Sequence, residues 1–299
     1  DKSIPWIAWV QPVGWWMTLV LTILVAGLAI TTIFRRQWAE NEKLAYPVAA
    51  GLLELTGAEE GESSLKNLFR SPLFWIGSGI TFGLLAWNMI RWSVTGWPMI
   101  PLLRNKGLSL GRGFPSIMFV IHPMTIAFGY FTKSEVLFSI WFFHLLAVLQ
   151  AGIFNRVGYD IGGADPWGSF HTAIGWQSFG GMIVFVGWGV WIARHHLRDV
   201  YRQAIHREDI VDDSNELMSY RTAFWLFTGS SLYVFLFLHQ TGLDWGPLIA
   251  FCFATAVLYL GLARIIVESG LVFIRGPITA QAFTWHLLGP AVISPKGAI

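Results

Sequence analysis

Long apolar runs, separated by short charged clusters, dominate the chain, and their lengths predict helices that cross a bilayer. About 20 apolar residues in a helix cover the hydrocarbon core. Residues 12–34, 72–91, 135–154, 174–193, 222–240 and 247–267 meet that length. Two weaker runs, 115–131 and 271–290, contain prolines: Pro123 in the first, Gly276-Pro277 in the second. Proline removes a backbone donor and clashes with the preceding turn, so broken or re-entrant segments are expected there. The pattern predicts an all-α polytopic transmembrane bundle in a single membrane domain, 1–299.

Charge between the runs decides how the chain threads. If 115–131 crosses, eleven Lys and Arg lie on one side and five on the other. Without that crossing, the Arg-rich loops 35–71 and 194–221 fall on opposite sides. The tendency of positive loops to stay inside therefore favours about seven spans plus a final broken segment, with both loops cytoplasmic. Residues 44–56 are too short to span and are expected to form an interfacial or re-entrant helix. "TGAEEGESS", 56–64, is a solvated loop. The mixed-sign stretch 195–221 predicts an amphipathic helix followed by a turn. "GLSLGRG", 107–113, is glycine-rich but lacks the strand–loop–helix context of a phosphate loop, and is expected to be a turn.

Composition agrees with a membrane protein. The 299 residues are 54% hydrophobic and 13% charged, against roughly a quarter charged in soluble domains. The 17 Trp and 23 Phe suit rings at lipid–water interfaces. A formal charge of +2 gives no reason to expect nucleic acid. The single cysteine, Cys252, excludes an internal disulfide and CxxC metal spacing. No nucleophile elbow, Walker loop or HExxH motif is present, so an enzyme is not expected, nor is a cofactor or bound metal.

Charges within apolar segments are costly and mark candidate functional positions. "GLARIIVESGLVFIRGP", 261–277, places Arg264 and Glu268 four apart on one helical face, with Arg275 before the Gly276-Pro277 break. This cluster either lines an ion or substrate pathway beside a broken helix or marks the end of a span as a surface pair. His144, mid-run in "LFSIWFFHLLAVLQ", and His122, beside Pro123, are further pathway candidates. Each has a structural alternative as a histidine bonded to a neighbouring helix or freed backbone. His171, His195, His196 and His206 are expected in solvated loops. Haem between spans needs facing histidines at matching depth, and His144 alone does not supply them. Asp160 and Asp165 precede a run containing Gly175, Gly180 and Gly181. They belong either to a loop before close helix packing or to an acidic outer vestibule.

After the first run comes "RRQWAENEKLAYPVA", 35–49, where Arg36 and Glu40 are spaced to pair on a helix. Together with "MTIAFGYFTKSEVLFSIWFFHLL" (124–146) and "ARIIVESGLVFIRGP" (263–277), it resembles bacterial members of the oligopeptide transporter superfamily. The matching positions are Trp38, Glu40, Glu42, Leu44 and Pro47, then Leu137 to Phe143, then Arg264, Glu268 and Gly270. The resemblance implies a proton-coupled secondary transporter of peptides or metal–chelator complexes in the bacterial inner membrane. Family members are usually longer, so it also implies that other parts of the fold, or other membrane chains, accompany these residues. The competing expectation is a non-transporting structural or anchoring subunit of a larger membrane complex. A cytoplasmic gate of Arg36, Glu40, Glu42 and Lys43 is expected on the transporter reading.

Overall fold

The computed structural model describes residues 6–44, 46–49, 53, 69–100, 106–120, 125–126, 129, 132–159, 165, 167–169, 171–206, 211–271 and 274–289. The fold is an all-α polytopic bundle. Its elements run α1 Trp6–Arg36, a π-helical turn Gln37–Asn41, α2 Pro72–Ile90, β1 Lys106–Leu108, β2 Ile117–Phe119, α3 Ser134–Val157 and α4 Thr172–Ile192. They continue with α5 Arg194–His206, α6 Tyr220–Gln240, α7 Trp245–Ser269 and α8 Ala280–Leu288. Among the described residues six helices, α1 (continued by its π turn), α2, α3, α4, α6 and α7, are long and apolar enough to cross a membrane. The protein is a multi-pass membrane protein. Contacts group its residues into two compact units, one of 1–44, 161–263 and 275–299, the other of 45–160 and 264–274.

In the first unit, α1 and α6 run antiparallel. Trp15 stacks on Phe237 with ring centroids 4.5 Å apart, and Tyr233 donates to Thr18 Oγ1 at 2.7 Å. At the other end of the pair, Arg35 reaches Glu216, just before α6. Ser219 caps α6 by accepting from Thr222 N–H, satisfying a donor that the first helical turn leaves orphaned. The predicted amphipathic helix is present as α5, which buries His196, Val200, Gln203 and Ala204 on one face. A turn follows it at 214–215. His196, expected in a solvated loop, is instead 8% exposed. Its Nε2 bonds Ile33 O at 2.8 Å, which answers the need of a buried ring for a partner. Helices α4, α7 and α8 meet at Phe283, whose ring lies near Trp176, Phe179 and Phe253.

In the second unit, the run 115–131 does not form a continuous span. Residues 117–119 pair antiparallel with 106–108, Gly107 opposite Met118. Only 125, 126 and 129 are described as helical further on. Apolar character over a few residues fits a short strand as well as a helix, and the ribbon adds local β-structure to the bundle. The connection contains the expected turn, with Phe114 N–H bonding Gly111 O. Helix α3 holds that turn: Asn155 donates to Gly113 O at 2.8 Å, and Arg156 stands over the Phe114 ring at 4.9 Å. The ring fills the space over Gly152, so a Cβ there would fall inside it. Gly152→Ala is expected to destabilise the protein by about 1 to 2 kcal/mol through overpacking. An unchanged thermal unfolding midpoint in detergent would show that the ring does not seat there.

Candidate functional site

The discontinuity after α7 is the first candidate. Glycine permits a left-handed backbone at low cost, and Gly270 stops the helix at φ +75°. The chain then stays non-helical wherever described until Ala280 opens α8. Thr279 caps α8 by accepting from Ala282 N–H at 3.2 Å. Gly276 lies against the Leu258 side chain. That residue is eleven positions back along α7 from its last residue, or about 17 Å at helical rise. The chain has therefore doubled back, placing non-helical backbone at the mid-depth of a membrane helix. At that depth irregular backbone persists only where protein buries it or a watery cavity bathes it.

Asp165 fastens this returning strand. Its Oδ2 accepts from Thr279 N–H at 2.7 Å, and its Oδ1 accepts from Trp167 N–H at 3.0 Å. Ser169 N–H donates to Pro277 O at 2.8 Å. Gly168 and Gly175 allow the close approach: a Cβ on either would come within 3.1 Å of Pro277 O. Burial pushes the Asp165 carboxyl up. The N–H groups of Thr279 and Trp167, the Thr279 hydroxyl and the nearby His286 outweigh it, and hold its pKa below the usual carboxylate value. Beside the clasp lies a crevice of about 10 Å³ lined by Asp165, His171, Thr172, Trp176, Ile278 and His286, about what one water needs. Gly175 packs closely as the small-residue pattern predicts. Among the described residues Gly180 and Gly181 have nothing within 4 Å of a Cβ position.

A charged knot at the end of α1 is the second candidate. Arg35 forks onto Glu216 through Nε at 2.6 Å and an η-nitrogen at 2.8 Å. The Glu216 side chain is 2% exposed and also accepts from the Tyr220 hydroxyl at 3.2 Å. Arg36 pairs with Glu40 at 3.0 Å, as their spacing predicts, and donates to Asp212 O at 2.8 Å. Asp213 Oδ2 accepts from Tyr220 N–H at 2.9 Å and from Gln203. The Ser214 N–H and hydroxyl hold the Asp212 carboxyl below its ordinary pKa.

Of the expected gate residues, Arg36 and Glu40 are joined directly. Glu42 instead accepts from Gln37 Nε2 at 3.0 Å, and Lys43 lies just beyond the π turn at φ +52°. The π turn itself, closed by Glu42 N–H onto Gln37 O at 2.9 Å, is a geometry that recurs at functional positions. It buries Trp38.

The pathway residues differ in exposure. Arg264 is half-buried and Glu268 exposed in the last turns of α7, and no ion pair joins them among the described residues. Arg275 is exposed on the returning strand, and His144 is exposed midway along α3. His122 and Asp160 lie outside the described residues. Among the described residues no three His, Cys, Asp or Glu side chains gather closely enough for a metal ion.

Asp165, expected only in a loop or an acidic outer vestibule, and Glu216, absent from the predicted sites, are the consequential residues. "ADPWG" carries a signal for the first, because an aspartate two residues before a backbone N–H commonly closes a turn. The acids of "DDSNE", 212–216, complementing Arg35-Arg36, carry one for the second.

Spanning helices, a discontinuous return and a clasped polar backbone define a multi-pass membrane protein of the broken-helix kind. The chain belongs to the Family of unknown function (DUF6785), whose model matches residues 1–299. No curated protein and no solved structure matches it.

Proposed function

We propose that this is a secondary transporter-like protein of a bacterial inner membrane, moving peptides or metal–chelator complexes together with protons. The carrying observation is the return of the chain after Gly270, whose non-helical residues 274–279 bring Gly276 to the depth of Leu258. Interrupted helices of this kind expose unpaired carbonyls and N–H groups, with which transporters hold ions and polar cargo near the bilayer midplane. The likeness of 35–49, 124–146 and 263–277 to the oligopeptide transporter superfamily supports the same reading. In it, loops 35–71 and 194–221 face the cytoplasm and Arg36, Glu40, Glu42 and Lys43 form a gate there. Arg264, Glu268 and Arg275 serve the ion or cargo where the helix breaks, with His144 and His122 as further pathway groups. Other membrane chains complete the assembly, and no chemical step is assigned to any residue.

Proteoliposomes with a trapped pH dye test this. Peptide mixtures or ferric chelates added outside are expected to drive internal acidification, reduced at least tenfold by Glu268→Gln. No acidification with either cargo class, or equal rates in the variant, would overturn the reading. One observation favours a non-transporting anchoring subunit instead: no side chain of α2 is buried. Native purification with a stoichiometric partner on α2, and no proton movement, would establish that alternative.

A further inference from the structure

We infer that the outward face of α5 docks on anionic phospholipid headgroups at the bilayer edge. Helix α4 has 21 residues, about 32 Å at helical rise, which matches the hydrocarbon core. Only Ala193 separates its last residue from α5. The first turn of α5 therefore sits where the chain leaves hydrocarbon.

The two faces of α5 differ in kind. Its buried residues are turned against α1 and α6, as the bond from His196 to Ile33 O requires. Arg194, His195, Arg198, Tyr201, Arg202 and Ile205 are exposed. At about 100° per residue these six occupy an arc of about 120°. Asp199 is the single acid in the helix, and it is partly buried beside this arc.

The electrostatics separate these arginines from the others nearby. Arg35 and Arg36 each have a carboxylate of the protein, while Arg194, Arg198 and Arg202 have none within 4.0 Å among the described residues. Arg194 lies over the Trp191 ring at 4.7 Å, and Trp188 and Trp191 are exposed at the end of α4. Tryptophan at this level belongs to the headgroup region. Tyr201 and Ile205 supply apolar surface between the cations, so the face can enter the acyl boundary while its guanidiniums stay at phosphate depth. A surface combining three unneutralised cations, interfacial rings and apolar side chains directly after a span fits an anionic lipid. The small overall charge, +2, gives no comparable match to nucleic acid.

The test uses the full chain in nanodiscs of phosphatidylcholine alone or mixed with phosphatidylglycerol. Native mass spectrometry counts lipids retained after extraction, and hydrogen exchange follows residues 194–206. Phosphatidylglycerol is expected to be retained preferentially and to slow exchange in α5. Each arginine near an anionic surface contributes about fivefold, so R194Q/R198Q/R202Q should reduce the preference by more than tenfold. R194K/R198K/R202K should keep most of it, and raised salt should weaken it in the unaltered protein. Equal retention of the two lipids by the unaltered protein overturns the inference whether or not the glutamine variant folds. A folded glutamine variant that keeps the full preference does so as well. Neither result depends on transport.

Discussion

Arg35→Ala is expected to destabilise the protein by about 2 kcal/mol, while Arg36→Ala costs about 0.5 kcal/mol. The two arginines are adjacent, and their partners decide the difference. Arg35 makes a two-point contact with a carboxylate whose side chain is 2% exposed. Removing it leaves that acid buried with one hydroxyl donor, Tyr220. Arg35 itself is half exposed, which screens the pair, but stranding a buried carboxylate still costs more than losing an exposed i,i+4 pair such as Arg36–Glu40. Equilibrium unfolding in detergent measures both. The Arg35→Ala, Glu216→Gln double variant should recover most of the loss, because an uncharged amide at 216 is cheaper to bury alone. Equal effects of the two single variants would mean that the fork onto Glu216 does not form in the folded protein. The same comparison bears on function. If the end of α1 moves as a gate, the two-point contact is the interaction that opening must break, and Glu40 is peripheral to it.

The features legible from sequence are those fixed by local physics. Run length gave the six long helices, and the mixed-sign stretch 195–221 gave α5. Glycine and proline marked the break after α7. Four-residue spacing gave the Arg36–Glu40 pair. What stayed hidden depends on residues far apart in the chain. The acids of 212–216 complement Arg35 and Arg36 in sign, but no local spacing says that Arg35 takes Glu216, 181 positions away. Nor does the spacing around Gly276-Pro277 reveal that the strand returns beside Leu258 instead of ending at a surface turn. His196 shows the intermediate case. The amphipathic pattern of α5 was visible, but its buried face includes a histidine whose hydrogen-bond partner, the Ile33 carbonyl, lies far away in the chain. The strand at 117–119 was lost in an apolar stretch and that at 106–108 in the glycine-rich segment expected to be a turn, because three residues are too few for alternation to show.

Asp165→Asn is expected to cost about 2 kcal/mol, with a pH dependence that separates it from ordinary destabilisation. A carboxylate accepts from both Thr279 N–H and Trp167 N–H. An asparagine has one oxygen for the two, and its amino group meets whichever N–H it cannot serve. Hydrogen bonds to a charged acceptor are worth more than neutral ones, so the variant loses strength as well as number. The carboxyl's folded pKa lies below its ordinary value. Its contribution is therefore complete above the unfolded carboxylate pKa, about 3.9, and is lost as pH falls through the lower folded value. The stability gap between the native protein and the variant should be constant near neutral pH and close progressively below about pH 4. A gap that persists undiminished into that acid range would mean that the charge of Asp165 does not hold the returning strand. If the strand also forms the conduit, Asp165→Asn should slow uptake at neutral pH, where the carboxylate is ionised, by about tenfold. Normal uptake with reduced stability would leave the clasp a structural anchor and move the cargo site away from residues 277–279.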